Sequence, residues 1–230
     1  MKEILLLHGA LASEEQMNPL AEKLSADFHV HAFSFSGHGG TPIISSEFSI
    51  EHFSNEITAF IAASGNEKMN VFGYSMGGYA AMLSSLSEPW WFENLITLGT
   101  KYDWNPESGA LEMQLLNTEK MEQKIPLFVE QLKKTHDPTS WLEVVIATRE
   151  MMRALGENPP LTPSALKFHE VHCLVLCGEN DTTAPLEKTQ QALANHHYAE
   201  VLMVPKTPHS FEKVNLDFLA EIITRYCHRQ

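Results

Sequence analysis

The stretch Val71-Phe72-Gly73-Tyr74-Ser75-Met76-Gly77-Gly78 sets a serine between glycines at the junction of two unlike patterns. The apolar run from Met69 to Tyr74 predicts a buried strand, and Tyr79 to Leu86, rich in Ala, Met and Leu, predicts a helix packed on it. Ser75 therefore stands at the corner. A strand that becomes a helix within one residue forces an unfavourable backbone conformation there. It also leaves no room for side chains two positions to either side, the room that Gly73 and Gly77 supply. Such a corner lifts the Ser75 hydroxyl clear of the sheet, while the helix N-terminus behind it offers free N–H groups to a developing negative charge.

Short apolar runs alternate with longer helical patterns along the rest of the chain, the signature of a parallel sheet covered on both faces. Ile4 to Leu7, Phe28 to Phe35, Leu95 to Leu98, Val171 to Cys177 and Val201 to Val204 join the Ser75 strand, for about six in all. Between the first two, Met17, Leu20, Ala21 and Leu24 fall at the three- and four-residue spacings of an amphipathic helix. Ile50 to Ala63, Leu186 to Ala194 and Leu216 to Arg225 predict further helices. Residues 101–170 contain no strand pattern but do contain helical ones, at Leu111 to Leu116, Leu127 to Leu132 and Trp141 to Met152. Prolines 159, 160 and 163 end that pattern before the sheet resumes. The expected organisation is a core of residues 1–100 and 171–230 with a helical cap, 101–170, inserted after the fourth strand.

Composition narrows the partners. Among 230 residues, 29 Asp and Glu against 16 Lys and Arg leave a formal charge of −13, which disfavours nucleic acid and anionic membrane. No stretch approaches the roughly 20 apolar residues of a membrane helix, and the opening apolar run is too short for a secretory signal. Cys173 and Cys177 lie four apart in one predicted strand. At about 3.3 Å per residue their Cα atoms stand roughly 13 Å apart, beyond disulfide reach. A cytoplasmic protein is expected.

Four further segments carry chemistry. His8-Gly9-Ala10 follows the first strand, where a loosened loop beside the nucleophile offers the Ala10 N–H, alongside that of Met76, to an oxyanion; His8 itself is expected to satisfy loop carbonyls. Gly37-His38-Gly39-Gly40-Thr41 has neither a dinucleotide fingerprint nor a Walker lysine and predicts a tight turn. Gly178-Glu179-Asn180-Asp181 sets a carboxylate at the C-terminal end of the fifth strand, where ligands and catalytic groups collect in open α/β sheets. Asp103, beyond the fourth strand, is a competing acid. His209 follows the last strand and comes after a serine and an aspartate in chain order. His196-His197 and His169-x-x-His172 lack Cys or carboxylate companions at metal-ligand spacing, so neither a metal nor a cofactor is expected.

Together, His8-Gly9, Gly37-His38-Gly39, Gly73-Tyr74-Ser75-Met76-Gly77-Gly78, Gly178-x-x-Asp181 and His209 make the whole chain resemble the α/β-hydrolase superfamily, and within it the small single-cap esterases and carbon–carbon-bond hydrolases. The resemblance implies Ser75 as nucleophile, His209 as general base and then acid, Asp181 as its orienting partner, and Ala10 and Met76 as oxyanion donors. It also implies a sheet reduced to six strands, since members often begin with two antiparallel strands that this chain lacks. Pro208 stands where relatives commonly carry glycine. The expected activity is hydrolysis of a small hydrophobic ester or thioester, with Trp104, Phe128 and Trp141 of the cap lining the acyl pocket. A carbon–carbon-bond hydrolase with the same triad, or a slow-turnover binding protein on the same fold, is the alternative.

Overall fold

In a computed structural model, which describes residues 1–44 and 48–229, six strands form one sheet: β1 (Lys2–Leu7), β2 (Phe28–Ala32), β3 (Met69–Tyr74), β4 (Phe92–Leu98), β5 (Cys173–Asn180) and β6 (Ala199–Pro208). Their order is β2-β1-β3-β4-β5-β6, and every neighbouring pair is parallel. All six C-terminal ends therefore share one edge. The serine, aspartate and histidine segments each leave a strand at that edge.

Successive side chains of a strand point to opposite faces, and the buried residues sort accordingly. Leu5, Leu7, Val71, Leu95 and Val175 face one core, closed by helices α2 (Ile50–Ala63) and α3 (Met76–Ser87). Ile4, Leu6, Phe72, Ile96, Leu98 and Leu174 face the other, closed by α1 (Asn18–Leu24) and α10 (Leu216–Cys227). The pattern explains why β3 reads as a continuous apolar run: both of its faces are covered.

The sequence reading overextends β2 and shortens β6. Strand β2 stops at Ala32, and the chain then turns so that the buried Phe35 packs edge-on against His8 and tilted against Phe53. Strand β6 is an edge strand with much of its surface exposed, so the apolar signal at Val201 to Val204 marks only part of a strand that runs on to Pro208.

Between β4 and β5 lie α4 (Pro106–Leu115), α5 (Thr118–Lys124), α6 (Pro126–His136), α7 (Trp141–Glu157) and the single turn α8 (Pro163–Leu166). Caps delimit several of them: Asn105 accepts from Ser108 N–H in a capping box, and the Asn117 and Thr162 side chains accept from N–H groups of the first turns of α5 and α8. Helices α4 and α7 approach closely at Gly109 and Gly156, where an added Cβ on Gly109 would stand 3.0 Å from the Gly156 Cα. A short helix, α9 (Leu186–Ala192), joins β5 to β6.

Candidate active site

Ser75 caps α3 with φ 51° and ψ −113°, a left-handed conformation that only the surrounding structure can impose on a residue with a side chain. Its N–H donates to the Leu98 carbonyl (2.9 Å) and its own carbonyl accepts from Thr100 Oγ1 (3.1 Å). The flanking glycines are sterically required. A Cβ on Gly73 would stand 2.5 Å from the Gly78 backbone, and one on Gly77 would stand 2.6 Å from the His8 carbonyl oxygen on the neighbouring strand's exit.

The Ser75 Oγ lies 3.3 Å from His209 Nε2, and His209 Nδ1 lies 2.8 Å from Asp181 Oδ2. The other oxygen of Asp181 accepts the N–H groups of Thr183 (2.8 Å) and Ala184 (3.0 Å). Burial alone raises the Asp181 pKa, but the hydrogen bond and charge of His209, with those two amides, bring it below the ordinary carboxylate value. A buried carboxylate on Nδ1 puts the His209 proton on that nitrogen and leaves Nε2 free to accept one from the serine. Tyr74 Oη donates to the His209 carbonyl (2.5 Å), fixing the loop after Pro208. Pro208 lies within the β5–β6 ladder opposite Asn180, and its ring leaves the His209 contacts intact.

Asp103 is elsewhere engaged: its Oδ1 lies 3.1 Å from Lys101 Nζ, and Glu112 of α4 approaches the same ammonium at 3.8 Å. Burial raises the Glu112 pKa, against the opposing pull of Lys101.

On the other side of Ser75, the Ala10 and Met76 N–H groups have no hydrogen-bond acceptor among the described residues. The loop carrying Ala10 is held by histidines. Buried His8 donates from Nδ1 to the Gly9 carbonyl (2.8 Å) and accepts the Phe35 N–H at Nε2 (3.1 Å), and burial holds its pKa down at about 4. His136, from the end of α6, donates from Nε2 to the carbonyl of Leu11 and accepts the Gly39 N–H at Nδ1, each at 3.2 Å. Leu11 has φ 61°, so this contact braces a strained residue adjacent to Ala10. Gly37, Gly39 and Gly40 all have positive φ in the turn that His136 reaches.

A cavity of about 770 Å³ opens onto Ser75 and His209. Its wall includes Ala10, Trp104, Leu115, Phe128, Leu132 and Met152, so α4, α6 and α7 all contribute. Trp104 and Phe128, two of the three cap residues named from the sequence, are on this wall. Trp141, the third, is buried in the core at the start of α7 and is not on this wall.

Gly99 went unrecognised in the sequence. With φ 63°, it leaves β4 beneath the His209–Asp181 pair, and a Cβ there would stand 3.0 Å from Asp181 Oδ2 and 3.3 Å from His209 Nδ1. Its only sequence signal is a glycine directly after a strand. His136 gave no signal, because its partners lie about a hundred residues away.

A family model described as the alpha/beta hydrolase fold matches residues 3–140. A pimeloyl-[acyl-carrier protein] methyl ester esterase of Aliivibrio salmonicida is 28% identical over 171 residues, 71% of this chain; the chain spans 62% of that relative's length. An esterase from Exiguobacterium antarcticum superposes with a TM-score of 0.81 at 16% identity, covering 100% of this chain and 92% of the other. An enol-lactonase from Burkholderia xenovorans gives 0.77 at 16% identity, covering 99% and 92%. At such identities the two structures speak to fold alone.

Proposed function

The chain belongs to the alpha/beta hydrolase fold family, and from that premise we propose that it is a serine hydrolase cleaving the carboxylic ester or thioester of a small hydrophobic acid through an acyl-enzyme. The observation that carries this reading is the continuous line from Ser75 Oγ through His209 to buried Asp181, 3.3 Å and 2.8 Å, at the floor of the cavity.

Ser75 attacks the substrate carbonyl as its proton passes to His209 Nε2; the oxyanion takes the Ala10 and Met76 N–H groups. His209 returns the proton to the departing alcohol or thiol. Water then gives a proton to His209, attacks the acyl carbonyl and frees the acid, and His209 reprotonates Ser75. The 3.3 Å spacing is at the long end for a serine–histidine bond, as expected before substrate tightens the site. Asp181 orients the imidazole and stabilises its protonated form.

The helices of residues 101–170 act as the cap, and Trp104, Leu115, Phe128 and Met152 receive the acyl chain. Charged side chains described on the cavity wall are Lys101, Glu15, Glu112 and Glu212, and Lys101 is already paired. That balance favours a neutral acyl group over an anionic one. The methyl ester named for the relative favours an oxygen ester over a thioester. No helix among the described residues is long and apolar enough to cross a membrane. Three free, buried thiols fit a reducing compartment, and we place the protein in the cytoplasm.

A fluorophosphonate probe tests the nucleophile: rapid stoichiometric labelling at Ser75 is expected, and an unlabelled Ser75 in folded protein overturns the reading. A series of p-nitrophenyl esters then defines the acyl length.

A further inference from the structure

Far from the cavity, at the opposite edge of the sheet, three ligating side chains converge that no neighbour in sequence announces. His169 lies just before β5, Cys173 is its first residue, and His196 comes from the connection between α9 and β6. One ligand atom from each lies within 4.8 Å of the other two, and all three residues are buried. In sequence His169 pairs by eye with His172, but the fold turns it toward Cys173, whose Sγ lies 3.8 Å from His169 Nδ1.

The hydrogen bonds hold these groups only in part, and the Cys173 thiol makes a contact of 3.3 Å to the Val171 carbonyl. Ser85 Oγ lies 3.1 Å from the Met82 carbonyl and 2.7 Å from His169 Nε2; when the hydroxyl donates to the carbonyl it accepts the His169 Nε2–H, and Nδ1 then faces Cys173 as an acceptor. A partner on the far nitrogen is how ligating imidazoles are oriented. His196 is 6% exposed, and its Nε2 is a buried polar atom with no hydrogen-bond partner. Buried polar atoms are rarely left so. Its Nδ1 faces the Tyr198 N–H (3.2 Å), and its own backbone carbonyl is also within reach of the ring. The Tyr198 N–H keeps the ring proton on Nε2, so a metal at Nε2 must displace that proton to Nδ1, where the His196 carbonyl takes it in exchange for the Tyr198 hydrogen bond.

We propose that His169, Cys173 and His196 form a binding site for a thiophilic divalent cation, zinc(II) above all, that ties β5 to the α9–β6 connection. Two imidazoles and one thiolate are zinc's own donor types. With Zn–S about 2.3 Å and Zn–N about 2.0–2.1 Å, ligand atoms of a tetrahedral site stand roughly 3.3–3.6 Å apart. The Cys173–His169 pair is already near that spacing at 3.8 Å. His196 closes the remainder, since it sits in the short connection between α9 and β6, outside the strands. On binding, the Cys173 thiol releases its proton to solvent and the thiolate takes the metal. The fourth position is left to water. Cys173 opens strand β5 and Asp181 lies just past its far end, a separation on the order of 20 Å, so the cation acts on stability and not on the reacting atoms.

The test uses full-length protein freed of metal by a chelator. Titration with Zn²⁺ should raise the melting temperature by about 5–10 °C at a hundredfold excess over Kd, and Co²⁺ should give a sulfur-to-cobalt charge-transfer band at one equivalent. Cys173→Ala and His196→Asn should each lose the band and the shift, whereas Ser75→Ala should keep both. His196→Asn lies in the connection outside the strands, so its folding provides the check if Cys173→Ala does not fold. Absence of band and shift in the parent protein, or their persistence in either variant, overturns the site.

Discussion

Asp181 and Asp103 are both carboxylates that follow strands in this sheet, and only their surroundings separate them. Asp181 has one oxygen on His209 and the other on two amides, whereas Asp103 is drawn to Lys101. Asp181→Asn should therefore lower kcat by roughly the 10⁴ known for the corresponding change in a serine protease, and Asp103→Asn by less than about tenfold. Kinetics of both variants on one ester decide it; the reverse ordering would overturn the assignment. Gly99 makes a subtler case. Its positive φ and its 3.0 Å approach to Asp181 Oδ2 mean that Gly99→Ala both strains the backbone and pushes the carboxylate from the imidazole. The expected outcome is a kcat loss of about tenfold or more with KM little changed, together with a destabilisation of about 1 kcal/mol. A variant with parental kcat would show that the pair has slack. Ser75, Asp181 and His209 were legible as residues because each has a chemical type and a position after a strand. Gly99 was not, because what makes it matter is the atoms opposite it, and those belong to segments about eighty and a hundred and ten residues downstream.

The elbow shows how much of an element a short motif can specify. Strand β3 is apolar on both faces, α3 begins at once after it, and the corner between them is possible only with hydrogen at three Cα positions, Gly73, Gly77 and Gly78. In Gly77→Val the branched side chain would meet the carbonyl oxygens of His8 and Leu7 at 2.6 and 2.8 Å. Those are backbone atoms of β1 and its exit and cannot swing aside. Overpacking of this kind costs about 1–3 kcal/mol, a fall in melting temperature of about 2–12 °C for a chain of this size. An unchanged melting temperature would contradict the strand–turn–helix geometry. The elements that the sequence mismeasured fail for opposite reasons. In β2 the apolar Phe33 and Phe35 extend the pattern past the ladder because they pack as loop residues in the core. In β6 the exposed edge permits Glu200, Lys206 and Pro208 within the strand, so the apolar run understates its length.

Histidine burial links the whole molecule to pH. His8 is fully buried and neutral with a pKa of about 4, and His169 is held to about 3 by burial and by His196; burial also lowers His38, His136 and His196. In the unfolded chain each would titrate near 6.5. Below that value the unfolded state takes up protons that the folded state refuses, so stability is full above about pH 7 and falls as the pH drops from 6.5 toward 4. Once the pH passes below a folded-state pKa, that group contributes no further loss. For His8 the shift from 6.5 to about 4 corresponds to on the order of 3 kcal/mol over the whole window, of which roughly half to two-thirds is lost by pH 5. Acidification also relieves the self-repulsion of a chain with formal charge −13, which acts in the opposite direction. That term comes mainly from exposed charges screened within about 10 Å at ordinary salt, each worth a few tenths of a kcal/mol, so the buried imidazoles dominate. Asp181, its pKa lowered in the fold, loses its contribution only at still lower pH. The melting temperature should accordingly fall by at least several degrees between pH 7 and pH 5 in the metal-free protein. Scanning calorimetry across that range is the measurement, and a flat or rising profile would mean that these histidines are not buried as neutral groups.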